Sequence, residues 1–286
     1  AKGKKVILLM GGSTVAGNSG YLPKSEIAFK LQEKIGSGTD DAIVVNGGVG
    51  GYATDNQVRA LMYLHLPRFK PDVVVFYDGW NDSTYLNGYR STYGSGLRPG
   101  FVKQQYRLET INTQMTRASS LVGLAGRISL TKVLEAIDPL NLLQRLKPTL
   151  PINVLASGIT DLSFHPESVN DYVRNLSYTD AICRREGIRF VHVLQPLIGI
   201  GSKADLSEEE KLIFAAQSTA NRDVARGFYD GVKEQMKSEA IRNIGLEHYD
   251  LRDAFRGVSS GVYKDEGHVY ENGNDILAEE IYKRLY

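Results

Sequence analysis

The sequence predicts an α/β fold in which helices cover both faces of one parallel sheet, giving three layers. Short apolar runs rich in β-branched residues recur along the 286 residues, and segments with helical spacing separate them. Each run ends near a glycine, asparagine, aspartate or proline. Strands of a parallel sheet are buried on both faces and need crossover helices, so this pattern indicates a doubly wound sheet. We expect a single domain over residues 1–286.

Five runs are predicted to form the strands. In chain order they are Val6–Met10, Ala42–Asn46, Val73–Tyr77, Phe190–Leu194 and, more weakly, Glu247–Leu251. Their short length and β-branched content are typical of strands buried in the middle of a parallel sheet.

Helices are predicted between these strands and after the last one. They span Pro23–Ile35, Thr54–Phe69, Ser207–Ser238 and Asp275–Leu285. In the first helix Ile27, Leu31 and Ile35 recur every four residues on one face, and Gly36 follows as a stop signal. The last helix carries a similar apolar stripe, with its charged residues directed away from it.

Residues 84–165 interrupt this alternation of strands and helices. The segment Ser83–Gly100 is rich in tyrosine, glycine, serine and arginine, and two stretches with helical character follow at Arg107–Ala125 and Ser129–Leu146. No strand is predicted within the interruption. Long segments of this kind inside a compact domain commonly carry function. We therefore expect a helical, cap-like insertion after the third strand, over the ligand crevice.

Composition and charge exclude several classes of protein. Hydrophobic residues make up 42% and charged residues 23% of the chain, and the formal net charge is +1. Nothing in the overall charge favours nucleic acid or an anionic membrane as a partner. The single cysteine, Cys183, excludes an intramolecular disulfide and a cysteine-based metal centre. It lies in the helix-like stretch Asp180–Arg185, so we expect a buried structural thiol.

The sequence contains no apolar run of about 18 residues, so we expect no membrane-spanning helix. It opens with Ala-Lys-Gly-Lys-Lys rather than methionine. A signal peptide or membrane anchor ahead of this sequence, and with it a periplasmic or secreted location, is left open.

Four separated segments carry residues suited to chemistry, three of them at strand ends. They are Gly11–Gly17 around Ser13, Asn46–Thr54 with its glycines, Gly79–Asp82 with Asn81, and Asp265–His268 ahead of the last helix. The carboxyl ends of parallel strands border the crevice in which open α/β sheets bind ligands. We therefore expect these segments to meet at one edge of the sheet.

These segments resemble the four sequence blocks of the SGNH (GDSL-type) hydrolase superfamily, which bear Ser, Gly, Asn and His in this order. The blocks span nearly the whole chain, with residues 84–165 outside the pattern. The resemblance implies a three-layer α/β/α fold with a flavodoxin-like parallel sheet, and a serine esterase that needs neither cofactor nor metal. The sequence departs from the family in carrying Gly12 where aspartate is usual. That aspartate is neither nucleophile nor base, so we expect only a supporting hydrogen bond to be lost.

Ester hydrolysis gives each of these residues a role. A serine hydroxyl becomes a competent nucleophile when a base takes its proton, and His268 is the predicted base for Ser13. Asp265, three residues before His268, can accept from the far ring nitrogen and fix the tautomer. The family pattern further implies an oxyanion hole built from the backbone N–H groups of Ser13 and Gly51 and the side-chain amide of Asn81. Spacing within its block favours Gly51 over Gly50.

Aromatic residues beside Asn81 are the predicted substrate contacts, namely Trp80, Tyr85 and Tyr89. For Trp80 a place in the core is an equal alternative, and the spacing of four between the tyrosines also fits a packed helical stripe. The remaining histidines are weaker candidates for the base. His192 alternates within a strand and is predicted to be packed, and His65, His165 and His248 lack the D-x-x-H setting.

Two other functions stay open at this stage. An O-acyltransferase could use the same site with an acceptor other than water. A non-catalytic nucleotide-binding module is the other alternative, because Gly48–Ala53 matches G-x-G-x-x-A between a strand and a helix. The acidic residue expected about 20 positions later is missing, and that function would leave Ser13 and His268 unused. We expect a small-molecule, glycan or lipid ester as substrate, with acetyl or short acyl groups.

Overall fold

The computed structural model describes residues 3–17, 23–37, 41–93, 163–203 and 205–286. The chain divides into two compact units, of which the first combines Ala1–Arg90 with Leu162–Tyr286 and the second is Ser91–Asp161. All five strands lie in the first unit. In the second, only the backbone of residues 91–93 is described, as the end of a helix. The predicted helices Arg107–Ala125 and Ser129–Leu146 lie outside the described residues.

One parallel sheet forms the middle layer. Its strands are β1 (Lys5–Gly11), β2 (Ala42–Asn46), β3 (Val73–Asp78), β4 (Arg189–Leu194) and β5 (Glu247–Asp250). The spatial order is β2-β1-β3-β4-β5, and every neighbouring pair is parallel. This is the flavodoxin-like order, so the predicted doubly wound parallel sheet is confirmed. The chain continues from β1 to β2 on one side and from β3 to β4 on the other, so the strand order reverses between β1 and β3. A ligand crevice is expected at the carboxyl ends of these two strands.

Nine α-helices are described. They are α1 (Ser13–Ala16), α2 (Ile27–Ser37), α3 (Thr54–Ala60), α4 (Trp80–Tyr93), α5 (Glu167–Glu186), α6 (Glu208–Ala216), α7 (Thr219–Met236), α8 (Glu239–Ile244) and α9 (Glu271–Leu285). A 3₁₀ turn at Pro23–Ser25 precedes α2, and a π-helical turn at Leu61–His65 follows α3.

Alternating side chains of the strands are buried on both faces of the sheet, which creates two cores. On one face Leu9 packs with Leu31 of α2 and Leu277 of α9 in a single apolar cluster. On the other face Leu8 belongs to a cluster that includes Tyr172 of α5, together with residues of α7. Each helix layer thus buries an apolar stripe on the sheet, and the three layers predicted from the sequence are present.

Helix boundaries differ from the predictions in three places. The first predicted helix, Pro23–Ile35, divides into the 3₁₀ turn and α2, which runs past Gly36 to Ser37. The second, Thr54–Phe69, changes to π-helical geometry and ends at His65, two residues before Pro67. The last helix begins four residues earlier than predicted, at Glu271.

The prediction of one helix over Ser207–Ser238 is wrong, because this segment holds α6 and α7 and leads directly into α8. Each helix begins after a serine whose hydroxyl accepts a hydrogen bond from the backbone N–H three residues later. These serines are Ser207, Ser218 and Ser238. Serine is a favoured N-cap because its oxygen satisfies a backbone donor that the helix leaves unpaired.

The predicted insertion is described only at its edges. Helix α4 starts within Gly79–Asp82 and continues to Tyr93, so the chain enters this region as a helix. The Asn87 side chain donates to the carbonyl oxygen of Ser163 at 2.9 Å and accepts from the backbone N–H of His165 at 2.7 Å. These bonds fix the point at which the chain returns before α5. A cap-like function of residues 84–165 stays a prediction.

Two predictions from composition can be compared with the structure. Cys183 is fully buried on α5, as predicted, and burial raises the pKa of its thiol to about 12. Within the described ranges, no helix has the length and apolar character needed to cross a membrane.

Candidate active site

Ser13 follows the carboxyl end of β1, which lies between β2 and β3 in the sheet. The strand ends at Gly11, and Ser13 is the first residue of the short helix α1. Its hydroxyl oxygen lies 2.8 Å from Nε2 of His268, although 255 positions separate the two residues in the chain. His268 Nδ1 lies 2.7 Å from Oδ2 of Asp265. The structure therefore brings the three residues into one hydrogen-bonded chain.

The Asp265 carboxylate is oriented by its own backbone. Its Oδ1 accepts from the backbone N–H groups of Gly267 at 3.0 Å and His268 at 2.8 Å, which leaves Oδ2 for the imidazole. Burial raises the pKa of Asp265, but the hydrogen bonds from the His268 side chain and from the two backbone groups outweigh it and lower the pKa overall. An ionised Asp265 favours the tautomer with the proton on Nδ1, so Nε2 can accept from Ser13.

Trp80 borders the imidazole on another side. Its indole and the His268 ring meet edge to face, with centroids 5.2 Å apart and an interplanar angle of 80°. The same indole packs on the backbone of Gly267, and it is partly buried against the core. Trp80 therefore combines the two alternatives left open by the sequence, because it contacts the core and also forms a wall beside His268.

The glycine-rich segment after β2 lies against the end of β1 and against α1, close to Ser13. The backbone N–H of Val49 donates to the carbonyl oxygen of Gly11 at 3.0 Å, which holds the loop against the end of β1. Gly51 is exposed and has φ +79°, a conformation that favours glycine. The Tyr85 hydroxyl lies 3.9 Å from the position that a Cβ of residue 51 would occupy. The choice of Gly51 over Gly50 as an oxyanion donor stays a prediction.

Asn81 lies in the first turn of α4, and its side-chain amide lies next to Gly12 and Tyr52. Its Nδ2 donates one hydrogen bond to the carbonyl oxygen of Tyr52 at 2.8 Å. A primary amide carries two hydrogens on this nitrogen, so a second donor is available once the first has fixed the orientation. A Cβ at Gly12 would lie 2.5 Å from Asn81 Nδ2 and 3.1 Å from the Tyr52 oxygen. The absence of a side chain at Gly12 thus allows the amide to approach the backbone beside Ser13.

The segment Gly48–Ala53 does not offer the phosphate site that its G-x-G-x-x-A pattern suggests. Such a site needs the open N-terminus of the following helix. Here the backbone N–H of Thr54, at the start of α3, already donates to Oδ1 of Asp82 at 2.8 Å. A Cβ at Gly48 would lie 2.5 Å from the backbone nitrogen of Ala16, so α1 occupies the space on that side. The nucleotide-binding alternative has no structural support.

Buried polar side chains from α5 and from strands β3, β4 and β5 form a hydrogen-bonded chain, which the sequence did not predict. The Tyr172 hydroxyl donates to Asp78 Oδ1 at 2.5 Å and lies 2.6 Å from His192 Nε2. His192 Nδ1 in turn lies 2.6 Å from Nδ1 of His248. Burial lowers the pKa of His192 to about 3, and burial together with the neighbouring His192 imidazole lowers the pKa of His248 to about 3. Only the strand register, in which His192 pairs with His248, could have revealed this chain.

The other predicted contact residues are placed as follows. Tyr85 is half-buried on α4 with its hydroxyl toward Gly51, whereas the side chain of Tyr89 lies outside the described residues. Histidine, cysteine, aspartate and glutamate do not cluster in threes as metal ligands anywhere in the described part of the chain.

Comparison with solved structures finds the same architecture in other proteins. LAE5, an alpha/beta hydrolase enzyme from the metagenome of Lake Arreo, Spain, matches with a TM-score of 0.52 and 12% identity over 98% of this chain and 94% of that one. TesA matches with a TM-score of 0.50 and 13% identity, and 98% of each chain is covered. This chain shares their fold. At such low identity the likeness concerns the fold alone.

A member of the lipolytic protein G-D-S-L family from Veillonella parvula DSM 2008 also matches. It is 11% identical with a TM-score of 0.48, and 98% of this chain and 97% of that one are covered. No protein-family model matches the sequence, and no curated protein matches it.

Proposed function

We propose that the protein is a serine esterase that hydrolyses carboxylic esters without a cofactor. The observation that carries this proposal is the hydrogen-bonded chain from Ser13 Oγ to His268 Nε2 at 2.8 Å and from His268 Nδ1 to Asp265 Oδ2 at 2.7 Å. A hydroxyl, an imidazole and a carboxylate in this order form the arrangement that makes serine nucleophilic. It lies at the edge of the sheet where this fold binds ligands.

In the acylation step His268 Nε2 takes the proton of Ser13 as the hydroxyl oxygen bonds to the ester carbonyl carbon. The carbonyl oxygen becomes an oxyanion, for which the backbone N–H groups of Ser13 and Gly51 and the second Asn81 hydrogen are the proposed donors. Collapse of this intermediate breaks the bond to the alcohol, and the departing alkoxide takes the proton from His268. Asp265 stabilises the imidazolium between these transfers.

In the deacylation step water replaces the alcohol. His268 takes a proton from the water molecule, whose oxygen attacks the carbonyl carbon of the Ser13 ester. When this second intermediate collapses, Ser13 Oγ leaves and recovers its proton from His268, and the carboxylic acid is released. Every proton removed is returned, so the cycle needs no further reactant.

The proposed substrates are acetyl or short acyl esters of a carbohydrate or a lipid. The cavity beside the His268 imidazole, lined in part by Thr14, Glu26, Glu271 and Asn274, has room for about one water molecule. The alcohol part of either ester is therefore expected to lie outside this cavity. Trp80 and Tyr85, with Tyr89 on the same helix, are the proposed walls of the acyl side.

Hydrolysis of p-nitrophenyl acetate tests the proposal. Ser13→Ala and His268→Ala are each expected to lower kcat by about 1,000-fold or more, because each removes a member of a unit that acts together. Ser177→Ala and His65→Ala serve as matched controls and are expected to keep the wild-type rate. The Ser177 hydroxyl donates to Val173 within α5 and the His65 ring packs on Phe69, so neither belongs to the hydrogen-bonded chain of Ser13. The melting temperatures of all four variants are measured alongside, so that unfolding is not mistaken for loss of chemistry.

Full hydrolysis by Ser13→Ala would overturn the esterase proposal. A series of acyl chain lengths and of acetylated sugars then identifies the preferred ester. An acyl product formed on an added sugar faster than free acid accumulates would instead assign the same site to an acyltransferase.

A further inference from the structure

Two of the three proposed oxyanion donors, Gly51 and Asn81, come from segments that are not adjacent in the chain. Gly51 belongs to the loop before α3, and Asn81 belongs to the first turn of α4. Electrostatic stabilisation of an oxyanion requires its donors to be fixed in advance, within a few tenths of an ångström. The Val49–Gly11 hydrogen bond holds the loop to the end of β1, whereas Gly50 and Gly51 themselves are exposed. Contacts between the Gly51 and Asn81 segments therefore help to set the separation of the two donors.

Asp82, the residue after Asn81, makes the principal contact. Its Oδ1 accepts from the backbone N–H of Thr54 at 2.8 Å and from the Thr54 hydroxyl at 2.6 Å. Both side chains are completely buried. Two donors of one residue on one oxygen fix the direction of approach as well as the distance. Thr54 is three residues after Gly51, and Asp82 is one residue after Asn81.

The surrounding contacts point the same way. Residue 53, the N-cap of α3, is alanine and has no side-chain oxygen, so Asp82 supplies the missing cap from another helix. Asn175 of α5 donates to the Thr54 hydroxyl oxygen at 3.1 Å and holds its rotamer. Asn81 itself donates to Tyr52 in the same loop at 2.8 Å. Oδ2 of Asp82 is buried and has no hydrogen-bond partner among the residues that the structure describes.

We propose that Asp82 is a positioning residue of the active site, which grips Thr54 and thereby fixes the Gly51 loop relative to the Asn81 amide. We call the hydrogen bonds of Asp82 Oδ1 with Thr54 the Asp82–Thr54 clamp. The claim about catalysis rests on the proposed esterase function, whereas the claim about the loop does not. Asp82 acts through its neighbours and does not contact the substrate.

Kinetics of p-nitrophenyl acetate hydrolysis test the catalytic claim. Asp82→Ala is expected to lower kcat by about 100-fold and Thr54→Val by about 10-fold, with KM nearly unchanged, because a misplaced donor weakens transition-state binding more than substrate binding. Thr54→Ser keeps the hydroxyl and Asp82→Asn keeps the acceptor oxygen, so both are expected to retain most of the rate. Burial raises the pKa of Asp82 well above its ordinary value, and the nearby Asp78 raises it further, so the neutral amide is a close substitute.

Asp78→Asn is the matched control. Asp78 is a similarly buried carboxyl at the end of β3, four residues before Asp82, but it bonds to Tyr172, His192 and Gln57 rather than to Thr54. Its substitution is expected to lower the melting temperature without the fall in kcat. An equal fall in Asp78→Asn, or a loss in Thr54→Ser as large as that in Thr54→Val, would assign the effect to general loosening and overturn the proposal.

Amide hydrogen exchange tests the clamp independently of activity. Exchange in a peptide covering residues 47–57 is expected to accelerate by about tenfold in Asp82→Ala, and less in Thr54→Val, because the loop opens locally more often. If the wild type hydrolyses no ester but exchange responds in this way, the esterase proposal fails and the clamp stands. If the wild type is active and neither exchange nor kcat responds to Thr54→Val or Asp82→Ala, the clamp is wrong and the esterase stands.

Discussion

At Gly12, the addition of a single methyl group is expected to have a clear effect on catalysis. A Cβ there would lie 2.5 Å from Asn81 Nδ2, so the end of the Asn81 side chain must move. We expect Gly12→Ala to lower kcat by about 10- to 100-fold, because losing an oxyanion donor costs 100-fold or more and displacement is a partial loss. We expect Gly12→Asp, which introduces the residue usual in the SGNH family that the motifs resemble, to lower kcat as well.

Gly36→Ala is the control for the Gly12 substitutions. Position 36 lies in α2 with nothing within 4 Å of an added Cβ. Alanine there is expected to leave kcat unchanged and to stabilise the helix by about 0.5–1 kcal/mol. A rise in kcat in Gly12→Asp, measured with p-nitrophenyl acetate beside this control, would contradict the placement of the Asn81 amide.

Residue spacing predicted some of the contacts in the candidate active site and not others. The D-x-x-H spacing allowed the interaction of Asp265 with His268 to be anticipated, and placement at strand ends allowed Ser13 and Asn81 to be expected at one edge. The functional roles of these residues stay predictions. The contact of Asp82 with Thr54 joins positions 28 apart, and no local pattern marks it. It depends on where α3, after β2, and α4, after β3, lie relative to each other, which only the tertiary structure shows.

Helix α6 is tied to the segment before Asp265 by one buried side chain. Glu210 Oε1 accepts from the backbone N–H groups of Val262 at 2.8 Å and Tyr263 at 3.0 Å. Its Oε2 lies 3.1 Å from Lys203 Nζ and accepts from the Ser207 N–H at 2.8 Å. Glu210→Ala should cost about 3–5 kcal/mol of unfolding free energy. It removes the charge partner of the buried Lys203, which keeps only its bonds to the carbonyl oxygens of Asp205 and Val258, and it takes the acceptor away from three backbone N–H groups.

Urea unfolding at pH 7 measures the effect of Glu210→Ala, and Ser207→Ala is the comparison. The serine variant removes only the N-cap of the same helix and should cost about 1 kcal/mol. Equal losses in the two variants would show that Glu210 is no more than part of the cap. They would contradict its assignment as the anchor of residues 262–263.

At the level of elements, periodicity located the strands and the faces of α2 and α9, because burial on the sheet dictates that spacing. It failed for α6 and α7, since the helical pattern continues across Gln217 and Ser218 while the chain turns there. The capping serines were the available signal for these boundaries. The π-helical turn after α3 had no signal in the sequence, because its residues are ordinary helix formers.

The molecule as a whole should lose stability in mild acid through its paired histidines. The pKa of His192 and of His248 is about 3 in the folded chain, chiefly because burial disfavours the charged form. The unfolded chain binds these protons below about pH 6.5, so unfolding becomes easier as pH falls from 6.5 toward 3. At pH 5.5 each neutral histidine should account for a loss of about 1 kcal/mol.

The Asp78 carboxyl changes the free energy of unfolding with pH in the opposite direction, so its contribution must be separated from that of the histidines. Burial raises its pKa to about 7, against hydrogen bonds from Tyr172 and Gln57, so the folded chain holds a proton there that the unfolded chain releases above about pH 4. Comparing wild type with His248→Gln cancels this contribution. Between pH 7.5 and 5.5, the wild type should lose about 1 kcal/mol more unfolding free energy in urea than the variant. Equal losses would mean that His248 is not held neutral.

The order of the sheet was predictable because strands joined by right-handed crossovers leave few arrangements, and because the four motifs resembled a family with a known order. The cap predicted over residues 84–165 lies mostly outside the described residues and stays a prediction. Catalysis in the proposed mechanism involves the whole molecule, since distant stretches of chain must cooperate in one reaction.

Labelling with a fluorophosphonate, located by peptide mass spectrometry, tests this claim most directly. The reagent reacts with a serine oxygen only where a base and an oxyanion site activate it. We expect one adduct per chain, on Ser13, formed at least about 100-fold more slowly in His268→Ala. An unlabelled Ser13, or labelling at an unchanged rate without His268, would contradict the account.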